Sequence, residues 1–411
     1  MAHADGATWF VRGGLPGETV RVTRTGTSRG GRIVFADVTQ VLEASPDRVE
    51  PPPCQWAGRC GGCDLLHVAP TAQESWKARV IADQLARIGG IRELGGVPIA
   101  EAVVVESVPV DAQPPGLGWR TRLTLDVDEA GRGCFHVRRG ELLAVGACPV
   151  VVPALQEAFS FEWPAAVRGR RLPVALHTPP RGEGVDVGDG IGGGVAEEQI
   201  PTVDLPGDVP VPPGWRRAAT VRREAFGRSW RVATDGFWQA HVRAPEVLGA
   251  AVLQAVTPSP GASVVELYSG VGLFAGVLGD AVGPAGRVDA VEGDARAHRL
   301  ARRNLHDLPQ VHLHGADVRG WVGPPAGRAA LSDADAVVLD PPRSGAGRVI
   351  VEALAGSGAD VICYVACDPA PLARDLRTFL AAGWRLASLR AFDLFGMSAH
   401  VETVATLRRG R

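Results

Sequence analysis

Beyond Gly236, apolar strand-like runs alternate with helix-like segments, and this alternation constrains the fold more than any other feature of the chain. Such alternation predicts an α/β domain built on a doubly wound sheet. Four of the runs end in acids or in a glycine-rich turn, at 266–272, Glu292, Asp317 and Asp340. Because ligands bind outside the carboxyl ends of strands in open sheets, these ends predict a nucleoside pocket.

The prediction of a nucleoside pocket depends mainly on the ends of the first two strands. Gly270 and Gly272 let the backbone approach a ligand closely, and a helix that begins there offers free N–H groups. Glu292 follows at about the spacing at which a carboxylate grips ribose hydroxyls in nucleotide-binding folds. A short Gly-x-Gly alone is also compatible with a dinucleotide cofactor.

Two further strand ends carry groups suited to covalent catalysis. Cys367 follows an apolar run and precedes the turn-forming Asp368-Pro369, while Glu402 lies on the last strand-like run. A thiol nucleophile and a separate acid/base residue form such a catalytic pair. The alternative for Cys367 is a small buried hydrophobe, and we expect that role for Cys363, which lies inside the apolar run.

A second group of cysteines predicts a metal centre. Cys54, Cys60 and Cys63 lie within ten residues, and Cys148 follows far downstream. Four thiolates can hold zinc or an iron–sulfur cluster, and the ligand count does not separate the two. Disulfides are disfavoured because the total of seven is odd and no signal peptide is seen, which fits a reducing cytoplasm.

Overall charge neither requires nor excludes a nucleic-acid partner. The net charge is −2, and no apolar run is long enough to predict a membrane span. The stretch 215–231 nevertheless carries six arginines and one acid near tryptophans, a pattern that suits phosphate contacts and base stacking. The alternative is a general preference for arginine, since Lys77 is the only lysine.

Pro- and Gly-rich stretches and changes of residue pattern divide the chain into three predicted domains. Residues 1–49 show short alternating β-type runs, as in a small OB-like barrel. Residues 50–235 read as a β-rich domain with the cysteine loop, and residues 236–411 as the α/β domain. Apolar residues at helical spacing over 71–88 predict a helix that packs on the α/β domain. The Gly-, Pro- and acid-rich stretch 178–213 reads as a long loop.

At three segments the chain resembles a known family, the S-adenosylmethionine-dependent RNA uracil-C5 methyltransferases, in particular the branch with an N-terminal TRAM domain and an iron–sulfur cluster. The segments are Asp340-Pro-Pro-Arg343-Ser-Gly, Tyr364-x-x-Cys367-Asp-Pro, and Asp393-Leu-Phe followed by His400-Val-Glu402. The resemblance extends over nearly the whole chain. It implies a class I methyltransferase domain with a Rossmann-like sheet, a TRAM barrel over 1–49, and RNA as the partner. The oligomeric state stays open, with a cytoplasmic monomer as the default expectation.

The resemblance also implies a role for each site residue. Cys367 would add to uracil C6, and Glu402 would remove the C5 proton. The residues implied to bind S-adenosylmethionine are Gln239, Tyr268, Gly270, Glu292, Asp317 and Asp340. A [4Fe–4S] cluster would be held by Cys54, Cys60, Cys63 and Cys148. The iron–sulfur branch favours 23S ribosomal RNA over transfer RNA as the substrate.

Five positions depart from the family pattern, and none removes a reacting group. Ala366 and Glu266 stand where serine and aspartate are usual. The others are His241 for asparagine, Leu273 for a small polar residue and Gly396 for proline. Two other functions stay open from the sequence. One is methyl transfer to a base nitrogen, since Asp-Pro-Pro is shared with amino-group methylases, and the other is RNA binding by a degenerate enzyme domain.

Overall fold

The structure, a computed structural model, describes residues 2–4, 6–28, 30–137, 140–179, 199–205 and 207–410. Its first element is a four-stranded sheet in the order β1-β2-β4-β3. The strands are β1 (Ala2–Ala4), β2 (Ala7–Arg12), β3 (Thr19–Thr27) and β4 (Ile33–Glu43). Among the described residues no ladder joins β1 to β3, so closure into a barrel stays a prediction.

The predicted helix after the cysteine loop is present. Pro70, whose missing N–H is no loss in a first turn, begins α1 (Pro70–Gln84), and a π-helical turn, Leu85–Gly89, extends it. Short elements follow: β5 (Glu93–Leu94), β6 (Val97–Pro98), α2 (Ile99–Ala102) and β7 (Val105–Ser107). The Lys77 ammonium in α1 contacts the Asp393 carboxylate at 2.7 Å, which ties this helix to the C-terminal part of the chain.

A six-stranded sheet, ordered β10-β9-β8-β11-β12-β13, forms the middle of the chain. Its strands and helix are β8 (Arg122–Val127), β9 (Gly133–His136), β10 (Leu142–Ala144), α3 (Glu157–Ser160), β11 (Arg171–His177), β12 (Ile200–Val203) and β13 (Arg216–Arg217). Trp163 and Leu125 are fully buried in its core. A separate hairpin, β14 (Thr220–Ala225) with β15 (Arg228–Ala233), leads to the last third.

One sequence prediction about this region is wrong in part. The stretch 178–213 contains β12, which pairs with β11 on one side and with β13 on the other. Thr202 and Val203 of β12 are fully buried. Pro201 fits because β13 pairs only from Thr202 onward, so its missing N–H costs no bond on that side. The part of the stretch at 180–198 lies outside the described residues.

The last third forms a mixed eight-stranded sheet, in the order β18-β17-β16-β19-β20-β22-β21-β7. The strands are β16 (Ser263–Leu267), β17 (Arg287–Glu292), β18 (Val311–Gly315), β19 (Ala336–Leu339), β20 (Val361–Ala366), β21 (Trp384–Asp393) and β22 (Glu402–Arg409). The helices are α4 (Ala244–Val256), α5 (Leu273–Val282), α6 (Ala295–Asn304), α7 (Val318–Val322), α8 (Pro325–Ser332), α9 (Arg348–Ala355) and α10 (Pro369–Ala381).

Strands β16 to β20 are parallel, and β22 inserts antiparallel between β20 and β21. Successive residues of each parallel strand face opposite sides, so Val264 and Val265 pack into two separate apolar cores. Cys363 is fully buried in one of these cores, as predicted. No helix within the described ranges is long and apolar enough to span a membrane.

Candidate active site

The parallel sheet has a crevice where its strand order reverses, between β16 and β19. Successive strands run outward from β16 through β17 and β18, and then from β19 through β20. Such a switch point is where ligands bind in open α/β sheets. A cavity of about 700 Å³ lies there, which we call the catalytic cavity. The sequence-predicted residues that line it are Gln239, Tyr268, Gly270, Glu292, Asp340, Cys367 and Glu402.

The turn after β16 is held in left-handed backbone conformations. Tyr268 has φ +65°, a conformation that a bulky residue rarely adopts. Gly270 and Gly272 have φ of +57° and +93°, and a Cβ on Gly272 would lie 2.6 Å from the Leu305 side chain. Backbone strain of this kind is concentrated at ligand sites. The turn therefore presents main-chain atoms of 268–272 to the cavity.

Glu292 ends β17 and fixes that turn. One of its carboxylate oxygens accepts from the Gly270 N–H at 2.7 Å, and the other accepts from the Asp294 N–H at 2.6 Å. Each oxygen keeps a second lone pair that a ligand hydroxyl can use. Glu292 is thus oriented before any ligand binds.

Asp317 is placed differently from the other predicted cofactor residues. It follows β18 and caps α7, where its carboxylate accepts from the Gly320 N–H at 3.2 Å. It is not among the residues that line the catalytic cavity. Its charge does reach the Tyr268 hydroxyl, since Asp317 adds to the effect of burial in raising the pKa of Tyr268 to about 12.

Gln239 reaches the cavity from the segment 237–241, between β15 and α4. The Thr121 N–H and hydroxyl both donate to the Ala240 carbonyl, at 2.8 and 3.0 Å. The Arg122 guanidinium donates to the Gly236 carbonyl at the start of the segment. Phe237 beside them is 72% exposed at the cavity. The middle sheet therefore supplies the support for a wall of the catalytic cavity.

Two of the departures from the family pattern have a structural reason in this part of the molecule. His241 stacks on Trp119 at 6.0 Å between ring centroids, and its Nε2 lies 3.2 Å from the Val108 carbonyl. Gly396 approaches Gly116 so closely that a Cβ there would lie 2.6 Å from the Gly116 Cα. At position 241 a stacked imidazole therefore replaces the usual asparagine. At position 396 the close backbone contact leaves room for glycine but not for the usual proline.

Buried carboxyl groups dominate the electrostatics of the cavity. Burial raises the pKa of Asp340 to about 7. Burial also raises the pKa of Glu402 and of Glu266 well above the ordinary value, and the charge of Asp340 raises both further. The Arg343 guanidinium opposes the shift in the Glu402 pKa. A ligand that brings positive charge favours the ionised form of such groups.

Cys367 lies directly after β20, where Asp368 begins α10 by accepting from the Ala370 N–H at 3.0 Å. Burial raises the pKa of the Cys367 thiol to about 11, and the charge of Glu402 raises it further. Arg343 acts in the opposite direction. Since the thiolate is the nucleophilic form, Cys367 needs positive charge or a proton acceptor nearby before it can react.

Several buried polar atoms near the cavity lack a hydrogen-bond partner among the described residues. They are the Glu266 Oε2, the Ser269 Oγ and the Trp238 Nε1. An unsatisfied buried group costs roughly 1–3 kcal/mol, so these atoms are suited to a polar ligand. Glu266, Trp238 and Ser269 also line a smaller cavity beside Gln239 and Asp340.

Sequence reasoning missed some of the lining residues. Phe237 and Phe395 lie inside motifs that the sequence singled out, so their positions were available but not their exposure to the cavity. Asp235 and Arg296 also line the cavity and form an ion pair across it. They are far apart in the chain and belong to no motif, so nothing in the sequence linked them.

The four predicted metal-ligating cysteines line a second cavity, of about 680 Å³, which we call the cysteine cavity. The Trp56 indole N–H donates to the Val145 carbonyl at 2.7 Å, which holds the cysteine loop against the end of β10. Gln156 exchanges hydrogen bonds with the backbone of Cys148 at 3.0 and 2.7 Å. Burial raises the pKa of Cys63 to about 12 and of Cys148 to about 11, and neighbouring cysteines raise both further.

The cysteine cavity brings the four cysteines together without a formed metal site. Across the described ranges, no group of three or more His, Cys, Asp or Glu side chains is arranged to hold one metal ion. Arg120, which is half-buried, also lines this cavity and lies close enough to Cys148 and Cys63 to interact with their charge.

Comparison with known proteins supports the fold and identifies the family. No protein-family profile matches the chain. A solved Pyrococcus abyssi tRNA (uracil-54, C5)-methyltransferase, in complex with S-adenosyl-L-homocysteine, superimposes with a TM-score of 0.67 at 21% identity, covering 98% of this chain and 96% of that one. The strand order and this match define a class I methyltransferase fold.

Relatives of higher identity extend over almost the whole chain. An uncharacterized RNA methyltransferase of Streptomyces avermitilis is 38% identical over 427 residues, covering 98% of this chain and 93% of that protein. The 23S rRNA (uracil(1939)-C(5))-methyltransferase RlmD of Pseudomonas fluorescens is 31% identical over 436 residues, covering 98% and 90%. The chain belongs to the RNA uracil-C5 methyltransferase family.

Proposed function

We propose that this enzyme transfers a methyl group from S-adenosylmethionine to C5 of a uridine in 23S ribosomal RNA, with Cys367 as nucleophile and Glu402 as base. The observation that carries the proposal is the catalytic cavity, where the thiol of Cys367 and the carboxyl of Glu402 face the same space as Gln239, Tyr268 and Glu292. Nucleophile, base and nucleoside-binding groups thus meet in one place.

The residues present fit S-adenosylmethionine. Glu292, fixed by two backbone N–H groups, is suited to the ribose hydroxyls. The strained turn of Tyr268 and Gly270 gives a ligand close access to the backbone. The unsatisfied Ser269 hydroxyl and Glu266 carboxyl supply further polar partners. When bound, the cofactor supplies the methyl group, carried on a positively charged sulfur that is complementary to the buried carboxyls.

The chemistry needs both reacting side chains. Uracil C5 is a poor nucleophile, and addition of the Cys367 thiolate to C6 converts the ring into an enolate whose C5 can accept a methyl group. The Glu402 carboxylate then removes the C5 proton. The C6–S bond breaks as the double bond returns, which releases the methylated base and the Cys367 thiolate. At the end of the cycle the Cys367 thiolate is restored, and the proton removed from C5 rests on Glu402, from which it passes to solvent.

Arg343 is the group that favours the reactive forms of both residues. Its charge lowers the pKa of Cys367 and of Glu402 against the effect of burial. Asp340 has the opposite effect on both, because its own charge is buried beside them. We therefore assign Arg343 to holding thiolate and carboxylate in their ionised forms, and Asp340 to the junction between cofactor and base.

The substrate assignment is supported by relatives rather than by the cavity. The RlmD relatives whose names specify 23S rRNA are about as long as this chain and 30–31% identical to it. The structure named for tRNA is 21% identical, which supports the fold alone. RNA is therefore the partner class, and 23S rRNA is the substrate we propose.

We also propose that Cys54, Cys60, Cys63 and Cys148 hold a [4Fe–4S] cluster. Around zinc, four thiolates lie about 2.3 Å from one atom, whereas each cysteine of a cubane cluster binds a different iron. Four thiols that line one cavity of about 680 Å³ leave room for a cluster, and the resemblance to the iron–sulfur branch favours a cluster over zinc. Ligation requires all four thiols to lose their protons, and the metal supplies the positive charge for this.

The primary test is tritium release from RNA labelled at uracil C5. Unmodified ribosomal RNA and transfer RNA are incubated separately with S-adenosylmethionine and with wild type, Cys367→Ala or Cys363→Ala. We expect release from ribosomal RNA by wild type and by Cys363→Ala, whose thiol is buried in the core. Cys367→Ala should lose at least roughly 10⁴-fold, as for other nucleophiles. Methyl incorporation without tritium release would instead indicate a base nitrogen.

Glu402→Gln separates the role of base from that of nucleophile. Without a proton acceptor the elimination stalls, so a covalent protein–RNA adduct should accumulate and survive a denaturing gel. The double variant Cys367→Ala/Glu402→Gln is the matched control and should give no adduct. Normal turnover by Glu402→Gln would remove Glu402 from this role.

A further inference from the structure

A third cavity, of about 870 Å³, lies where the middle sheet meets helix α6. Its walls come from β11, β13, the hairpin β14–β15 and the C-terminal end of α6. Five arginines line it, and we call it the arginine cavity: Arg216, Arg222, Arg228, Arg231 and Arg303. Four of them belong to the basic run 215–231, whose role the sequence left open.

Among the described residues, carboxylates compensate only part of the positive charge of this cavity. Its one acidic lining residue, Asp307, pairs with Arg228 at 2.6 Å. Arg222 pairs with Glu224 on its own strand at 3.0 Å. Within the described part of the chain, no carboxylate lies within ion-pairing distance of Arg216, Arg231 or Arg303. Guanidinium groups left without carboxylates in a concave site are suited to anions, above all phosphates.

His177 lines the arginine cavity, and the positive charges of the arginines affect its pKa. Burial lowers the pKa of His177 to about 4, and the charges of Arg216 and Arg222 lower it further. Its Nδ1 accepts from the Arg222 N–H at 3.1 Å, so the ring is neutral and the positive charge belongs to the arginines. The arginine cavity is therefore suited to anions at any pH near neutrality, because its arginines stay charged and the His177 ring stays neutral.

The catalytic cavity has no such excess of positive charge. Asp235, Glu292 and Asp294 line it against two arginines, Arg296 and Arg343, while the raised pKa values of Asp340 and Glu402 favour the neutral forms of these two. Such a cavity does not attract a polyanion, and the whole chain carries a net charge of −2. Attraction for RNA phosphates must therefore come from another surface.

The two cavities are neighbours. Helix α6 contributes Arg296 to the catalytic cavity and Arg303 to the arginine cavity, and seven residues of helix span about 10 Å. Strand β15 likewise contributes Arg231 to one cavity and is followed by Gly236 in the wall of the other. A chain of a few nucleotides can therefore occupy both.

We propose that the arginine cavity binds the phosphate backbone of the substrate RNA next to the uridine that enters the catalytic cavity. The proposal rests on the proposed function for the identity of that RNA. Phosphate contacts position a nucleic acid without reading its sequence. The arginine cavity would thus set which stretch of RNA can present a base to Cys367.

The test compares a neutralised cavity with a matched surface control. The cavity variant is Arg216→Gln/Arg231→Gln/Arg303→Gln. The control, Arg87→Gln/Arg348→Gln/Arg385→Gln, loses the same charge from exposed positions on the π-helical turn, α9 and β21. Binding of a single-stranded uridine-containing RNA oligonucleotide is followed by fluorescence anisotropy against salt concentration, and binding of S-adenosylmethionine is followed by calorimetry.

We expect the cavity variant to bind RNA more than tenfold more weakly, with the slope of log K against log salt reduced by about 2, since each contact on a single strand contributes ~0.7. KM for RNA should rise while kcat at saturating RNA and cofactor affinity stay near wild type. The control should change RNA binding by less than half as much on a logarithmic scale. Lysine at the three positions should restore most of the affinity.

Two results would overturn the proposal. One is equal weakening in the cavity variant and the control, which would mean that only net charge matters. The other is tight binding of poly-glutamate that the cavity variant loses as fully as it loses RNA, which would make this an acidic-peptide site. If wild type binds RNA through these arginines but releases no tritium from uracil, the proposed function fails while the phosphate site stands.

Discussion

The catalytic cavity and the cysteine cavity are assembled in different ways. The catalytic cavity takes Tyr268, Glu292, Asp340 and Cys367 from the ends of neighbouring parallel strands in one sheet. The cysteine cavity takes three cysteines from a loop that precedes α1 and Cys148 from a turn after β10. In the first, backbone hydrogen bonds between strands fix the relative positions. In the second, scattered hydrogen bonds do so, such as those from the Trp56 indole to the Val145 carbonyl and from the Gly61 N–H to the His136 carbonyl.

This difference indicates how each site depends on what binds there. A site on strand ends is organised before its ligand arrives, because the sheet core that positions it is buried on both faces. A site made of loops gains much of its order from the bound metal. We therefore expect the catalytic cavity to survive loss of its ligand, and the cysteine cavity to loosen without the proposed cluster.

Two chain segments connect the cavities. Arg120 pairs with Val150 beside Cys148, while the next residue, Thr121, holds Ala240 beside Gln239. The segment after β21 places Phe395 in the catalytic cavity and offers the Met397 carbonyl to the Asp64 N–H of the cysteine loop. Disorder in one cavity can therefore spread to the other through these contacts.

The largest expected effect is loss of the cluster in Cys60→Ser. Wild type purified without oxygen should be brown and hold close to four irons and four sulfides per chain, whereas the variant should hold almost none. Cys134→Ser is the control, because Cys134 is buried in β9 and does not line this cavity. Iron and sulfide analysis decides the matter, and wild type that contains zinc without iron would refute the cluster.

Lys77→Met should be the next largest, with a loss of about 3–5 kcal/mol in the free energy of unfolding. The side chain of Lys77 is 2% exposed and pairs with Asp393, which begins the segment shared by both cavities. Removing one partner leaves a buried charge, so Lys77→Met/Asp393→Asn should recover part of the loss. Urea unfolding measures both, and a cost under 1 kcal/mol would mean that the pair does not anchor the segment.

Asp340→Asn should stabilise the protein near pH 8 while it lowers turnover. The pKa of Asp340 is raised to about 7 in the folded state from an ordinary 3.8, so the native state holds a proton that the unfolded state has lost. Stability then falls as pH rises through about 4 to 7, and removing the carboxyl should return on the order of 1–2 kcal/mol. The unfolding midpoint should differ from wild type near pH 8 and coincide near pH 4. A difference that is the same at both pH values would exclude this origin.

Asp317→Ala should have the smallest effect. Loss of the cap on α7 costs about 1 kcal/mol of stability, but cofactor affinity should change by less than twofold because Asp317 does not line the catalytic cavity. Glu292→Ala is the comparison and should weaken S-adenosylmethionine binding at least tenfold. Equal weakening by the two variants in calorimetry would show that Asp317 contacts the cofactor, as the resemblance implies.

Prediction from sequence succeeded where residues at regular positions in the chain must also lie close together in the fold. Polar residues at the ends of successive parallel strands must meet at one edge, which is why Glu292, Asp340 and Cys367 could be grouped. It failed for β12 because Gly, Pro and acids around Ile200–Val203 obscured a short strand that only its neighbours β11 and β13 stabilise. The barrel over 1–49 and the domain boundaries stay predictions.

The sequence by itself determined the α/β class, seven of the residues that line the catalytic cavity and the grouping of four cysteines, because strand period and cysteine spacing are local properties of the chain. Only the tertiary structure decided that Asp317 caps a helix, that Lys77 is buried against Asp393, and that arginines of the basic run share a cavity with Arg303. Those outcomes depend on how separate elements pack, and packing brings together side chains that no local pattern connects.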